Sequence, residues 1–566
     1  MFSIMTVPAS VLSVLLSAIM LSLGIPNELF KQGSAVFGLL SLIPLYLALR
    51  DSRSWAQAGF LGGLMMFLVH VMSSFWLAYF KDFAIFTLGA SALAYFGLGI
   101  LAGWLLRYVL QSPRTLRPFL FAGVWLAWEW FKSTGFLAYP WGTLAMSSRE
   151  LSVLIQIAEL TGVWGIGFLM ALAQGLAAET LFPRTVAVRP GKSARHPLYH
   201  PSYAVLERPE GALGRSGGRD ASRTTLLPSV REMRGSLAFA AILFATVLSF
   251  GLARFSFPPK SETTLNVVMV QQNSDPWAGG GLGRNLRVSQ RLTREAIEKS
   301  GRNADLVVWS ESVLSWPYER NKRYYESHPK DDPFIPFMRS VGVPLLVGSP
   351  VLLDEAKEDF ANAVIYVGPD GTQLGWYGKM QLVPFAEYIP FAEHPLVAKF
   401  FDSLVGFSKG WIPGEEYTVF PVTNAEGKTV RFTAPICFED AFPGQAARLH
   451  NAGSDLLINL TNDAWSNTES AEYQHFAIAS FRTIELRTTL IRSTNGGYSS
   501  VIDPLGRVIV DLPLFVEASV NAIVPVYPHV KTFYARFGDW FPALACVLVL
   551  IAMIQQELID RRRRFG

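Results

Sequence analysis

Thr433-Ala-Pro-Ile-Cys-Phe-Glu-Asp440 sets a cysteine, Cys437, at the end of an apolar, strand-like run and ahead of small residues punctuated by Pro443 and Gly444. A nucleophile is well placed at such a strand end, where the backbone is exposed yet rigidly held. The chain has 2 cysteines. The other, Cys546, lies in an apolar run, so Cys437 belongs neither to a disulfide framework nor to a multi-cysteine metal cluster. Two further stretches end in the same way, Leu306-Val-Val-Trp-Ser-Glu311 and Tyr377-Gly-Lys-Met-Gln-Leu-Val-Pro384. In chain order they supply a base, a cation and a thiol: Glu311, Lys379 and Cys437.

Outward from these stretches the composition divides. The chain has 566 residues, 50% of them hydrophobic and 17% charged, with a net charge of +4. Long runs in the first part and near the C-terminus are almost free of charge, whereas 257–535 has ordinary globular composition. That asymmetry predicts a membrane part joined to a globular part. Apolar runs at Val7–Leu23, Ser34–Leu49, Gly59–Phe80, Phe83–Leu106, Phe119–Phe131, Leu154–Leu176, Leu237–Ala253 and Phe541–Ile554 predict about eight spans. The fifth of them carries Glu129. The first ten residues hold no Lys or Arg, so the first run is expected to be a retained span and not a cleaved signal.

Basic residues follow the even-numbered spans: Arg50 and Arg53, then Arg107, Arg114 and Arg117, then the polar stretch 184–235, then Arg561 to Arg564. The positive-inside rule places those exits and both termini in the cytoplasm, and the segment between the last two spans outside. The expected domains are a membrane part at 1–256 with a mobile basic loop at 184–235, a globular part at 257–535, and a C-terminal span with a basic tail at 536–566. Loop charge of this kind serves topology, not nucleic acid.

Inside 257–535, strands are expected at Leu265–Val270, Leu306–Trp309, Pro344–Val347, Ala363–Val367, Thr433–Ile436, Leu456–Leu460 and Ser499–Ile502. Helices are expected at Arg287–Lys299, Gly444–His450 and Ala471–Arg487. This alternation is an α/β pattern. A thiol attacks an acyl carbon as thiolate, so it needs a base, which Glu311 offers, and the resulting oxyanion needs a cation, which Lys379 offers. Each residue alone has a plainer reading. Cys437 could be a small buried hydrophobe, and Glu311 and Lys379 a structural ion pair. Of the five histidines in the region, His394, His450 and His475 occupy no comparable strand-end motif, which weakens a Cys–His reading. There is no metal-ligand spacing, Gly-rich phosphate loop or dinucleotide fingerprint, so no cofactor is expected.

Ser310-Glu311, Lys379 with the following Leu382-Val-Pro-Phe-Ala-Glu-Tyr-Ile-Pro390, and Pro435-Ile-Cys-Phe-Glu439 resemble the Glu–Lys–Cys motifs of the nitrilase, or carbon–nitrogen hydrolase, superfamily. The 382–390 segment, Asn462-Asp-Ala-Trp465, Arg482 through Arg487, Arg492-Ser-Thr-Asn-Gly496, Tyr139-Pro-Trp-Gly142 and Gln156–Gly162 narrow this to its membrane-bound branch, the apolipoprotein N-acyltransferase family. The resemblance implies an αββα sandwich inserted between the last two spans of an inner-membrane protein, on the periplasmic side. It implies Glu311 as base, Lys379 as oxyanion stabiliser and Cys437 as nucleophile. Glu387 would assist the triad, Glu439 would be an essential acid, Trp277 a tryptophan near the substrate entrance, and Trp465 part of the substrate-binding surround. The implied reaction moves a fatty acyl chain from a phospholipid, phosphatidylethanolamine being expected, through a cysteine thioester to the α-amino group of a diacylglyceryl-cysteine lipoprotein.

Several positions depart from the family pattern. Phe438 stands where tyrosine is expected, Gln381 where histidine is, Ala386 where glycine is, and Trp465-Ser-Asn467 where Trp-Phe-Gly is. They bear on donor preference and rate more than on reaction class. The aromatic segment Leu382–Trp411 reads as a lid dipping into the membrane interface. Two rival readings are a membrane-tethered amidase, which leaves seven preceding spans without a purpose, and a non-catalytic transport or assembly factor, which leaves the triad without one.

Overall fold

The computed structural model describes residues 6–79, 85–135, 137–182, 223–276, 282–405 and 410–565. Trp277 and residues 184–222 of the expected basic loop lie outside the described residues.

Among the described residues, six helices are long and apolar enough to cross a membrane: Val7–Gly24, Trp55–Ser73, Thr87–Val109, Val163–Leu181, Val230–Ser256 and Trp540–Arg562. Serine and threonine caps set several of their starts. Thr6 accepts from the Ala9 N–H, and Ser54 from the Gln57 N–H, so each first turn has a partner for an otherwise orphaned donor. The other two expected spans are shorter helices. Ser34–Leu49 becomes Ala35–Leu40 and Leu42–Arg50, split at Ser41, and Phe119–Phe131 becomes Arg117–Lys132. Trp55–Ser73 meets Ser91–Val109 backbone to backbone. A Cβ at Gly62 would stand 2.4 Å from the Gly99 carbonyl oxygen, so only glycine permits that approach.

Two expectations need correction. The sixth span starts at Val163, not Leu154, because 154–161 is bound sideways to the globular part: Gln156 Nε2 donates to the Leu505 carbonyl and Arg487 pairs with Glu159. The expected loop ends early, because the seventh helix runs from Arg223 to Ser256. Its polar extension is held by tertiary contacts that composition does not reveal, Glu232 pairing with Arg114 at 2.9 Å and Ser236 donating to the Thr115 carbonyl.

Among the described residues the globular part has twelve strands: β1 Thr263–Gln271, β2 Leu306–Val308, β3 Leu345–Asp354, β4 Asp359–Val367, β5 Gln373–Gly378, β6 Phe420–Thr423, β7 Thr429–Thr433, β8 Leu456–Thr461, β9 Thr489–Thr494, β10 Ser500–Ile502, β11 Val508–Asp511 and β12 Ala518–Val526. They form two six-stranded sheets, in the orders β12-β1-β2-β3-β4-β5 and β11-β10-β9-β8-β7-β6. The pairs β1–β2, β2–β3, β7–β8 and β8–β9 are parallel. Strand periodicity shows in the packing. Leu265, Val267, Met269, Leu306, Val308, Leu346, Val364 and Tyr366 face the second sheet, in one core with Phe432, Ile458 and Ile491. The alternate residues Val268, Val270, Val307, Trp309, Leu345, Val347, Ile365 and Val367 face helices Leu282–Ser300 and Phe334–Val341. Burying one such side chain stabilises the fold by about 1.5–3 kcal/mol. Helices Pro443–Asn451 and Glu469–Leu486 flank the second sheet, completing an αββα sandwich of the nitrilase-like type.

Candidate active site

The three singled-out stretches end at neighbouring points of the two sheets. The expected strand Thr433–Ile436 stops at Thr433, with Ile436 making only a lone bridge to Leu460. Cys437 then opens a short 3-10 turn, Cys437–Ala441, in the left-handed conformation at φ +52°. Such a backbone costs about 1–3 kcal/mol for a residue other than glycine and persists only where its surroundings hold it. Here Asn459 Nδ2 donates to the Cys437 carbonyl at 2.8 Å, and the Glu439 carboxylate accepts the Ile436 N–H at 2.8 Å.

Glu439, fully buried, does more. It accepts the N–H groups of Met380 and Gln381 at 2.8 and 3.0 Å and the Tyr377 hydroxyl. It thereby ties the turn of Cys437 to the chain immediately after Lys379. Burial pushes its carboxyl up to about 7, against the pull of those backbone donors.

Glu311 follows β2. Its Oε1 accepts Asn362 Nδ2 at 2.8 Å and its Oε2 accepts the Asn462 N–H at 2.9 Å. Lys379 follows β5 and is buried, with Nζ 2.8 Å from Glu387 Oε1 and 3.6 Å from Glu311 Oε1. Asn362 donates also to Glu387 Oε1 at 2.9 Å, and Glu387 Oε2 accepts the Val383 N–H. Burial raises the Glu311 carboxyl above its usual range; Lys379 opposes this and Glu387 adds to it. Burial works against the charged form of Lys379, but Glu387, the Cys437 sulfur and Glu311 outweigh it, so the ammonium is held above its ordinary range. Burial also pushes the partly buried Cys437 thiol well up, with the Glu311 charge adding to it and Lys379 opposing. Such a thiol is protonated at neutral pH, with the Glu311 carboxyl near enough to act on its charge.

Phe438 packs its ring 5.3 Å from Lys379 Nζ and stacks against Trp141, whose centroid is 6.4 Å away. Trp465 meets Trp76 at 5.4 Å. Both partners come from the membrane part, so its aromatic side chains wall the site on one flank. A cavity of about 730 Å³ lies on another flank, lined by Trp316, Phe360, Glu387 and Trp411 among others.

The structure therefore gathers Glu311, Lys379, Cys437, Glu387, Glu439, Phe438 and Trp465. Sequence reasoning missed Asn362, whose only signal is a lone amide in the apolar run Ala361–Val367. It also gave no role to Asp440, Asp463, His475 and Arg492, which form one buried cluster beside the turn of Cys437.

Residues 17–176 match the family model described as apolipoprotein N-acyltransferase N-terminal domain, and residues 267–525 that described as carbon–nitrogen hydrolase. The chain is 47% identical over 550 residues to apolipoprotein N-acyltransferase 2 of Treponema denticola, covering 97% of each protein. It is 41% identical over 570 residues to apolipoprotein N-acyltransferase 2 of Treponema pallidum, covering 97% of this chain and 95% of that one. To the apolipoprotein N-acyltransferase of Borreliella burgdorferi it is 27% identical over 553 residues, covering 97% of this chain and 96% of that one. With relatives matching it over nearly its whole length, the chain belongs to the apolipoprotein N-acyltransferase family.

Proposed function

We propose that this acyltransferase moves a fatty acyl chain from a phospholipid, phosphatidylethanolamine in the first instance, to the α-amino group of a diacylglyceryl-cysteine lipoprotein. The observation that carries the reading is the set of buried Glu311 and Lys379 with partly buried Cys437 on converging strand ends, flanked by Trp76 and Trp141 from the membrane part. Glu311 takes the thiol proton as Cys437 attacks the ester carbonyl. Lys379 balances the oxyanion, and its collapse expels the lysophospholipid alkoxide, which leaves with the proton returned from Glu311. The amine then attacks the thioester, Glu311 accepts its proton, and the thiol is restored. Glu387 orients Lys379, Glu439 sets the spacing of the two strand ends, and Phe438 and Trp465 line the acyl path. Trp277 guards the entrance.

The same reading places 1–256 and 536–566 in a bacterial inner membrane with eight spans, both termini cytoplasmic, and 257–535 on the periplasmic face. Two lipid-anchored substrates require a site close to the bilayer. Phe391, Leu396 and Phe400, all exposed, support a lid over 382–411 that dips into the interface.

The test is intact mass spectrometry of the protein in detergent with phosphatidylethanolamine, then with a diacylglyceryl-cysteine lipopeptide, beside Cys437→Ala. One hydroxylamine-labile acyl mass, absent from the variant and passed to the peptide amine, is the expected result. An unmodified protein and a peptide that stays diacylated would sink the reading.

A further inference from the structure

His475 lies on the helix Glu469–Leu486, buried, with both ring nitrogens engaged. Nδ1 is 2.8 Å from Asp463 Oδ1 and 2.9 Å from its Oδ2, and Nε2 is 2.9 Å from Asp440 Oδ1. A ring held at both nitrogens has no lone pair to offer a thiol, so this histidine is not the base for Cys437. Its two partners lie on the two segments that the chemistry must keep in register. Asp440 belongs to the 3-10 turn that Cys437 opens. Asp463 follows Asn462, whose N–H donates to Glu311 Oε2 at 2.9 Å. A continuous path runs from thiol to base through Cys437, Asp440, His475, Asp463, Asn462 and Glu311. It crosses from one sheet to the other.

We propose that His475 is a positioning residue: bridging Asp440 and Asp463, it fixes the turn bearing Cys437 against the peptide N–H that aims Glu311. This rests on the reading of Cys437 as nucleophile and Glu311 as base.

The surroundings favour a charged, immobile ring. Arg492 pairs with both aspartates through Nη1 to Asp440 and Nη2 to Asp463. Two cations thus face two carboxylates. Thr461 donates to Asp463, and Glu472, one turn back on the same helix, has both carboxyl oxygens buried without a hydrogen-bond partner. Burial holds Glu472 well above its usual range, so it stays neutral and adds no third negative charge. From the membrane part the uncharged indole of Trp141 covers the ring, the centroids 5.6 Å apart. Burial alone would lower the imidazolium, but Asp463 and Asp440 bring it up to about 9. The bridge is therefore present at neutral pH and weakens as pH rises through about 9.

The experiment uses the full-length protein in detergent, carrying Cys546→Ser so that iodoacetamide reports on Cys437 alone. His475→Gln, which retains a hydrogen bond to one aspartate at most, is compared with His475→Phe, which retains none. The expected result at pH 7.5 is slower alkylation of Cys437 and slower acyl loading from phosphatidylethanolamine, by about 10-fold for Gln and about 100-fold for Phe, with KM for the phospholipid unchanged. The parent's acyl loading falls as pH passes about 9, and the Gln variant lacks that limb. Alkylation and loading at the parent's rates in both variants would overturn the proposal, as would a fall near pH 9 that persists in His475→Gln. Should neither variant fold, Asp440→Asn and the parent's own pH profile decide: full alkylation in the first, or no falling limb in the second, overturns it. Alkylation needs no lipid, so a failure of the acyltransferase reading, seen as an absence of loading in the parent, is distinguishable from a failure of this one.

Discussion

Asn362 is the residue whose removal tests the site most directly, because its two amide hydrogens hold two carboxylates at once. Nδ2 lies 2.8 Å from Glu311 Oε1 and 2.9 Å from Glu387 Oε1. Asn362→Ala deletes both bonds and leaves the backbone untouched, including the Lys379 N–H that donates to the Asn362 carbonyl at 2.8 Å. Glu311 then keeps only the Asn462 N–H and the ammonium 3.6 Å away. A hydrogen bond to a charged group contributes about 1.5–3 kcal/mol, and this one favours the ionised carboxyl, the form that receives the thiol proton in the proposed mechanism. Its loss raises a carboxyl that burial already holds high. At a fixed pH on the acidic limb the ionised fraction falls about 10- to 150-fold, and acyl loading falls with it. Asn362→Asp separates hydrogen bonding from charge. An ionised aspartate about 3 Å from two carboxylates meets a repulsion of about 5–6 kcal/mol from each at an effective dielectric of about 20, so it takes a proton and donates one bond in place of two. The assay is single-turnover acyl loading followed by intact mass from pH 5 to 9. The acidic limb moves up in Asn362→Ala and recovers at higher pH, while Asn362→Asp is the slower of the two at the alkaline end. An Asn362→Ala profile that superimposes on the parent's would refute the assignment of Glu311 as the base aimed by this amide.

Glu439→Gln leaves the buried Ile436 N–H without an acceptor and costs about 1–3 kcal/mol, read as a lower melting temperature. The pH dependence carries the sign of a raised acid. With a folded value of about 7 above the ordinary 4.5, the folded protein holds the proton more tightly than the unfolded chain. Stability is therefore full below about 4.5 and is lost as pH climbs to about 7, a slope absent from Glu439→Gln. Gly348→Ala places a Cβ 2.3 Å from the Ser312 nitrogen and 2.7 Å from Glu311 Cα, so the base is displaced; acyl loading drops about 100-fold while circular dichroism stays that of the parent. Loading by Gly348→Ala at the parent's rate would show that Glu311 tolerates movement.

The legibility of the chain follows the range of the forces involved. Strands β1, β2, β4 and β8 announce themselves because apolar and β-branched residues must line the space between the sheets and the space under the helices. The strands missed, β5, β6, β9, β11 and β12, are short, edge-bound or carry polar residues such as Arg492 whose partners lie far off in sequence. Glu311, Lys379 and Cys437 were readable because each sits where an apolar strand gives way to a turn. Asn362 and His475 were not, since a buried polar side chain is explained only by its partners, and these come from separate segments. Six of the apolar runs correspond to helices long enough to cross a bilayer, the sixth run starting later than expected and the last one longer. Ser34–Leu49 and 154–161 depart from that template where side chains of other segments meet them: Gln174 and Ser17 accept the Leu42 and Leu45 N–H groups, and Gln156 reaches the Leu505 carbonyl.

Glu129 and Lys132 show how far this coupling goes. A carboxyl inside the apolar run Phe119–Phe131, with an ammonium just beyond it, weakens the reading of that run as a span. In the structure each folds the segment that follows. Glu129 Oε1 accepts the Leu144 N–H at 2.6 Å and Trp125 Nε1 at 3.0 Å, Lys132 Nζ donates to the Trp141 carbonyl, and the Tyr139 N–H donates to the Lys132 carbonyl. These bonds hold Tyr139–Gly142 in place, and Trp141 is thereby set against Phe438 and His475. Gln474 on the same helix as His475 donates from Nε2 to the Pro26 and Ser73 carbonyls and accepts from Trp76 Nε1. Charges inside the membrane part, an amide inside the globular part and the aromatic wall of the site thus form one connected set of bonds. A sandwich tethered only through its two chain ends would be free to rock above the bilayer. This one is bolted to the helices through Gln474, Trp76 and Trp141, so the placement of the Cys437 turn against the membrane part is a property of the fold.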